Sequence, residues 1–177
     1  MSSEQPAHPA IGREARFVHG VIEQCQRDKG LAARLRRANN PATEYQSWEL
    51  LARYGIDLER DDERLPFACV AAAIAQAKIQ NNGTLALGRA IASCYPDGHQ
   101  NDQAQARLRR LLACDEVAEL CRLLRPVLTL IDNRVAQPLD YAHLLGQLRR
   151  FAFAPPSVKA QWAQEFYGHK TAIEEEA

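Results

Sequence analysis

Residues 65–79 form the stretch that most limits how this chain can fold. The run is alanine-rich and almost uniformly apolar. A helix built from it has no face to leave in water, so it predicts a central helix buried nearly all round. Amphipathic segments nearby supply the cover. Over 10–29, Ile11, Ala15, Val18, Val21, Ile22 and Cys25 recur at intervals of three and four, the pattern of an amphipathic helix, closed by Gly30. A short helix over 31–38 ends at Asn39-Asn40-Pro41. Thr43 is placed to cap the next helix, which runs through Tyr45, Trp48, Leu51 and Ala52 to Gly55. Residues 57–64, five acids against two arginines, connect it to the apolar run.

Beyond the run, Gln80-Asn81-Asn82-Gly83 turns the chain and Thr84 caps a helix over 85–95. In that helix Gly88 permits close approach of a neighbour, while Arg89 projects from apolar surroundings and needs a partner or the surface. Tyr95-Pro96-Asp97-Gly98 is a turn and 99–103 is polar throughout, which places a boundary between two helical halves there. A helix over 102–114 follows, then one over 116–131 capped by Asp115 and kinked or broken at Pro126. The next, over 139–153, carries Arg149-Arg150 near its C-terminus, where the helix dipole favours cations. The last starts at Ala154-Pro155-Pro156-Ser157 and runs through Trp162, Phe166 and Tyr167, whose helical spacing makes them core rather than a base-stacking strip. No segment alternates with period two for long, and none clusters β-branched residues. The chain is therefore all-α, with two helical-bundle domains of about eight or nine helices spanning 10–98 and 99–170. Residues 1–9 are a disordered lead-in and 171–177 an acidic tail.

The 177 residues suffice for one good core or two small ones, and a 46% apolar share needs no covalent staples. Cysteines 25, 69, 94, 114 and 121 form no C-x-x-C pair and fall within apolar helical patterns, as reduced core residues of a cytoplasmic protein do. The N-terminus lacks the apolar run of a signal peptide, and no stretch approaches about eighteen uninterrupted apolar residues, so a soluble chain with no membrane partner is expected.

Acids and bases balance at 22 each, so net charge does not advertise a nucleic-acid binder and local pattern has to carry any such reading. The pattern present is a tetrapeptide that occurs twice, Arg34-Leu35-Arg36-Arg37 and Arg107-Leu108-Arg109-Arg110. On a helix, Leu108, Leu111 and Leu112 share one face with Arg109 opposite, and Leu31, Leu35 and Ala38 do the same around the first copy. The first and last arginines of each copy stand three apart beside the apolar stripe, able to grip one phosphate or carboxylate, while Arg36 and Arg109 point away from the core. All basic residues but Lys29, Lys78, Lys159 and Lys170 are arginine, whose planar fork suits phosphate. A GC-rich genome gives the same bias, and solvated arginines accompany inward leucines on many helices, so the repeat alone leaves both readings open.

No catalytic constellation assembles. The chain has no G-x-S-x-G elbow, P-loop, G-x-G-x-x-G or H-E-x-x-H. Histidines 8, 19, 99, 143 and 169 are scattered, none at ligand spacing from another histidine or a cysteine, so no metal or other cofactor is expected. Acid pairs such as Asp61-Asp62 and Asp115-Glu116 sit at turns or helix starts, where capping accounts for them. What remains is binding.

Five blocks in order resemble a known family. They are Leu35-Arg36-Arg37-Ala38 followed by Pro41, Leu87-Gly88-Arg89-Ala90, Arg107-Leu108-Arg109-Arg110-Leu111-Leu112, Asp140-Tyr141-Ala142-His143-Leu144-Leu145, and Val158-Lys159-Ala160-Gln161-Trp162-Ala163-Gln164-Glu165-Phe166-Tyr167. Together they look like the CasB family, the small subunit of the type I-E CRISPR surveillance complex, Cascade. The resemblance runs from about residue 13 to 169. It implies a non-enzymatic, all-helical subunit that pairs with a second copy of itself and touches the large subunit and the repeated backbone subunits. It also implies contact with guide RNA, target DNA and the displaced strand, through basic residues on one face. Carried over by position, these are Arg34, Arg36, Arg37, Arg89, Arg107, Arg109 and Arg110. Arg64, Lys78 and Arg125 join them from neighbouring helix ends. The sequence departs from the family pattern in its neutral 80–83 turn, its zero net charge, and Phe151 and Phe153 where a tryptophan is expected. The alternative is a purely structural helical adaptor whose arginines pair with carboxylates on partner proteins.

Overall fold

The computed structural model describes residues 11–168 as nine α-helices and two short 3-10 segments. The helices are α1 (Arg13–Arg27), α2 (Lys29–Arg37), α3 (Trp48–Arg53), α4 (Asp61–Ala77), α5 (Leu87–Ser93), α6 (Asp102–Leu112), α7 (Val117–Arg134), α8 (Tyr141–Phe151) and α9 (Pro155–Tyr167). The expected lead-in over 1–9 and acidic tail over 171–177 lie outside the described residues. The apolar run is the axis of the fold. In α4 every residue from Pro66 to Ala72 is buried, with Ile74 and Ala75, and the helix packs against α1, α2, α7 and α8. Its start lies earlier than the sequence pattern suggests, because Asp61, Asp62 and Glu63 fill its first turn, where carboxylates suit the positive end of the dipole.

The expected division at residue 98 falls on a real turn, with Gly98 at φ 59°, but the apolar core passes through it. One cluster runs from Phe17 to Phe166, and α1 packs on α8, α4 on α7 and α8, and α5 on α9. The α5–α9 contact is close at Gly88, where a Cβ would stand 2.4 Å from the Trp162 carbonyl oxygen. Trp162 and Phe166 are buried, and Tyr167 reaches the surface. Phe151 stacks on Trp162 in the core, whereas Phe153 is exposed.

Several element ends differ from the sequence pattern, each for a local reason. Gly30 does not close α1. The chain bends at Asp28 (φ −122°, ψ 97°), whose carboxylate accepts from the Leu31 N–H at 2.9 Å and caps α2, so Gly30 sits in that helix's first turn. Asn40, not Thr43, caps the following segment, which is a 3-10 helix over Pro41–Ser47. Thr84 caps nothing: Leu85 forms a parallel bridge with Leu139, so the chain stays extended until α5. Asp115 pairs with Lys159 at 3.2 Å instead of capping α7. Pro126 does not end α7, which runs on to Arg134, and it lies on the exposed face, where water can serve the carbonyl its missing N–H leaves unpaired.

Candidate nucleic-acid interface

The first arginine set follows from how α2 is buried. Leu31, Ala32 and Leu35 face the core, which turns Arg34 and Arg37 to solvent. Arg37 donates to the Gln46 side-chain oxygen at 3.3 Å. Arg34 borders a shallow cleft with Arg27 and Arg53, and these two are tied to Glu23 and Glu49 one turn away on their own helices. Arg36 departs from expectation. It does not point away from the core but lies half-buried, donating to the Ala75 carbonyl oxygen at 3.4 Å in the last turn of α4.

There Arg36 lines a cleft of about 470 Å³ with Lys78, from the end of α4, and Lys29, from the start of α2. Cys25, Ala32, Ile74 and Ala75 give this cleft apolar walls, and no carboxylate lines it. Burial raises the Cys25 thiol above its ordinary pKa, with the Arg36 guanidinium acting in the opposite sense and Asp28 adding to the rise. Asp132 on α7 lies outside the lining; burial raises its carboxyl and the positive charge of Lys78 opposes that.

The second set is spread over one end of α6. Ala104, Leu108 and Leu111 are buried, leaving Arg109 and Arg110 exposed. Arg109 donates to Gln105 one turn back at 3.0 Å. Arg107 is half-buried and donates to the Tyr95 hydroxyl at 3.0 Å, while Arg134 from the end of α7 lies over the same ring, 5.1 Å from its centroid. Two guanidiniums thus meet around one tyrosine. The two repeat helices pack mainly on different neighbours, α2 on α1 and α4, and α6 on α5, α7 and α9, with α7 also reaching the end of α2 through Arg125.

Two of the expected contact residues serve the fold instead. Arg64 has a side chain 15% exposed and gives its donors to Glu44 at 3.1 Å, Asp61 at 2.7 Å and the Leu58 carbonyl at 2.6 Å, over the face of Trp48. Arg125 is 7% exposed and donates to the carbonyls of Ala38 and Asn39, each at 2.9 Å, where α2 ends. A guanidinium suits that position because the C-terminal carbonyls of a helix carry partial negative charge. Both bonds come from one guanidinium nitrogen and tie Arg125 to the end of the helix that carries the first arginine set. Arg89 is exposed and donates to the Gly168 carbonyl at 3.0 Å.

Ion pairing separates the basic residues into two groups. Among the described residues, Arg13, Arg27, Arg53, Arg60, Arg64, Arg149 and Lys159 pair with carboxylates. The six arginines of the twin repeat make no such pair. Pattern reading missed two neighbours of this unpaired group. Lys29 stands seven residues before Arg36, two helical turns on the same face, so its place was legible. Arg134 carries no local signal, since only the tertiary fold brings it to Tyr95.

Among the described residues no group of three or more His, Cys, Asp or Glu side chains is placed to hold a metal ion, and no helix is long and apolar enough to cross a membrane. Solved structures share the fold. CasB from M. ruber superposes with a TM-score of 0.69 at 24% identity, covering 89% of this chain and 93% of that one. CasB from Thermus thermophilus gives 0.68 at 24%, covering 90% and 100%, and CasB from Thermobifida fusca 0.66 at 22%, covering 86% and 94%. No curated protein matches the chain by sequence. These likenesses define an all-helical protein of the CasB fold. Residues 31–167 match the family described as CRISPR-associated protein Cse2, and the chain belongs to that Cse2/CasB family, a subunit of the CRISPR Cascade complex.

Proposed function

We propose that this Cascade subunit contacts the phosphate backbones of guide RNA and target DNA and steadies the displaced strand of the R-loop during antiviral defence. The observation that carries this reading is the division of the basic residues. Other cations, such as Arg13, Arg27, Arg53 and Arg149, hold carboxylates of the fold, while Arg34, Arg37, Arg109 and Arg110 stand exposed without an anionic partner among the described residues. Unpaired surface guanidiniums carry no stabilising pair within the fold and suit bidentate capture of phosphate oxygens. Modest contacts suffice for the task, because exchanging a DNA duplex for an RNA–DNA heteroduplex is nearly balanced in base-pairing energy. The same zero net charge that weakens the free chain as a binder is compatible with work inside an assembly, beside the large subunit, the backbone subunits and a second copy.

The test is charge reversal in the assembled complex. Arg37→Glu with Arg110→Glu is expected to leave folding intact and to lower target-DNA affinity about tenfold or more. The reversal should also flatten the dependence of log affinity on log salt by roughly 1–2, as lost phosphate contacts require. Unchanged affinity across the salt series refutes the proposal. Failure of the variant to co-purify with the other subunits would instead assign these arginines to carboxylates on partner proteins, the adaptor role.

A further inference from the structure

We propose that the cleft between α1, α2 and the end of α4 is a discrete pocket for a phosphate group, held by Lys29, Arg36 and Lys78. The choice of ligand rests on the phosphate-contact reading above. The pocket itself rests on three observations that reading does not use.

The first is convergence. Three cations from α2 and the end of α4 line one concavity of about 470 Å³ with no carboxylate in its lining. Like charges gathered in one cleft repel, and an anion relieves that repulsion. The second is the set of Arg36. Its hydrogen bond to the Ala75 carbonyl oxygen orients the guanidinium along the cleft wall and uses one of five N–H donors, leaving the others for a ligand. The third is the backbone at Lys78. It closes α4 in the left-handed conformation, φ 53° and ψ 37°, and is the one non-glycine residue with positive φ among the described residues. Glycine is the unstrained choice for that position. Among the described residues the exposed Lys78 side chain makes no hydrogen bond and no ion pair; within the fold its charge acts on the Asp132 carboxyl, opposing the rise that burial gives it. What the lysine does supply is an ammonium at the mouth of the cleft. A non-glycine residue held in that conformation motivates a functional reading of the position.

The chemistry selects phosphate over carboxylate. A carboxylate's two oxygens are satisfied by Arg36 alone, whereas the three or four oxygens of a phosphate can accept from the guanidinium and both ammonium groups together. The cleft has room beyond one phosphate, which admits either a second phosphate of a free polyphosphate or the sugar of a nucleotide within a strand.

The experiment titrates inorganic pyrophosphate into the full chain at low ionic strength, followed by calorimetry and by the amide resonances of residues 29, 36 and 78. Saturable binding is expected, weakened about fivefold to tenfold by Lys29→Gln and by Lys78→Gly. Arg122→Gln, an exposed arginine outside the cleft, should stay within about twofold of the parent, as a distant charge screened by salt does. Lys78→Gly should also melt at a higher temperature, because glycine relieves the left-handed strain, so its loss of affinity is not a folding defect. Unaltered pyrophosphate affinity in both lysine variants, or no binding to the parent chain at millimolar pyrophosphate, overturns the pocket. A single-stranded oligothymidylate then assigns the source: displacement of pyrophosphate points to a phosphate within a strand, and binding without displacement to a free polyphosphate. Should Arg37→Glu/Arg110→Glu leave DNA affinity unchanged while pyrophosphate binding still follows Lys78, the backbone reading fails and the pocket stands.

Discussion

Replacing Arg125 with alanine is expected to destabilise the protein without acting through any ligand. The buried guanidinium makes two hydrogen bonds of 2.9 Å to the carbonyls of Ala38 and Asn39. Bonds from a charged donor contribute roughly 1.5–3 kcal/mol each, a gross loss of about 3–6 kcal/mol. Removing a charge that had to be desolvated offsets part of this, and lost packing of the three-carbon stem adds to it. The net is about 2–4 kcal/mol. For a domain of this size that lowers the melting temperature by about 5–15 °C. Thermal and urea unfolding followed by circular dichroism measure it, with the urea slope unchanged if the fold is otherwise kept. Hydrogen exchange adds the location, since the amides of residues 34–40 should lose protection before the rest of the core. Arg125→Lys, which keeps the charge but not the fork, should fall between the two. A shift under about 2 °C with unchanged exchange at 34–40 would refute the assignment of Arg125 to the end of α2, and would return it to the surface group from which its burial removes it.

Two further outcomes follow from geometry already described. Gly88→Ala puts a methyl 2.4 Å from the Trp162 carbonyl oxygen and 2.7 Å from the Phe166 nitrogen, both backbone atoms that cannot swivel away. A loss of about 3 kcal/mol in urea unfolding is expected, and a neutral result would mean that α5 and α9 slide apart freely. For Glu14, burial raises the carboxyl, but its own backbone amide and the ion pair with Arg149 outweigh this and hold the pKa below the ordinary 4.5. A group depressed in the folded state stabilises it above the unfolded pKa and loses that contribution as pH falls through the folded value. The stability gap between the parent and Glu14→Gln should therefore be full at neutral pH and close on acidification below about pH 4.5. A gap that does not narrow there removes the pair from the account of acid stability.

What could be read from the sequence depended on whether the cause was local. The 65–79 run announced its own burial, and the inward leucines of both repeats placed Arg34, Arg37, Arg109 and Arg110 on exposed faces, though they gave no sign that Arg36 lies half-buried against α4. Gly88 was legible because a glycine within an apolar helix has few other uses. The misplaced ends have non-local or competing causes. Thr84 has the chemistry of a cap, but the bridge from Leu85 to Leu139 spans more of the chain than any window reads. Gly30 resembled a stop because the stronger signal, the Asp28 carboxylate on the Leu31 N–H, starts a helix where one was thought to end. Arg125 and Arg64 look like surface arginines in sequence; Arg125 finds Ala38 87 residues away, and Arg64 adds to its local partners Asp61 and Leu58 a buried one, Glu44, 20 residues away. The relation between the two repeats was not legible either, since it follows from how α4 meets α7.

That last contact has a mechanical meaning. Because one apolar cluster runs from Phe17 to Phe166, the two arginine helices are joined through packed core, and their separation follows side-chain volume in the α4–α7 seam. The protein then behaves as a gauge block that keeps two basic helices at a set spacing. Under the proposed function, a strand held by both helices would have to fit that spacing, so the bending would fall on the nucleic acid and the dimension would be written in the alanines and leucines of the seam.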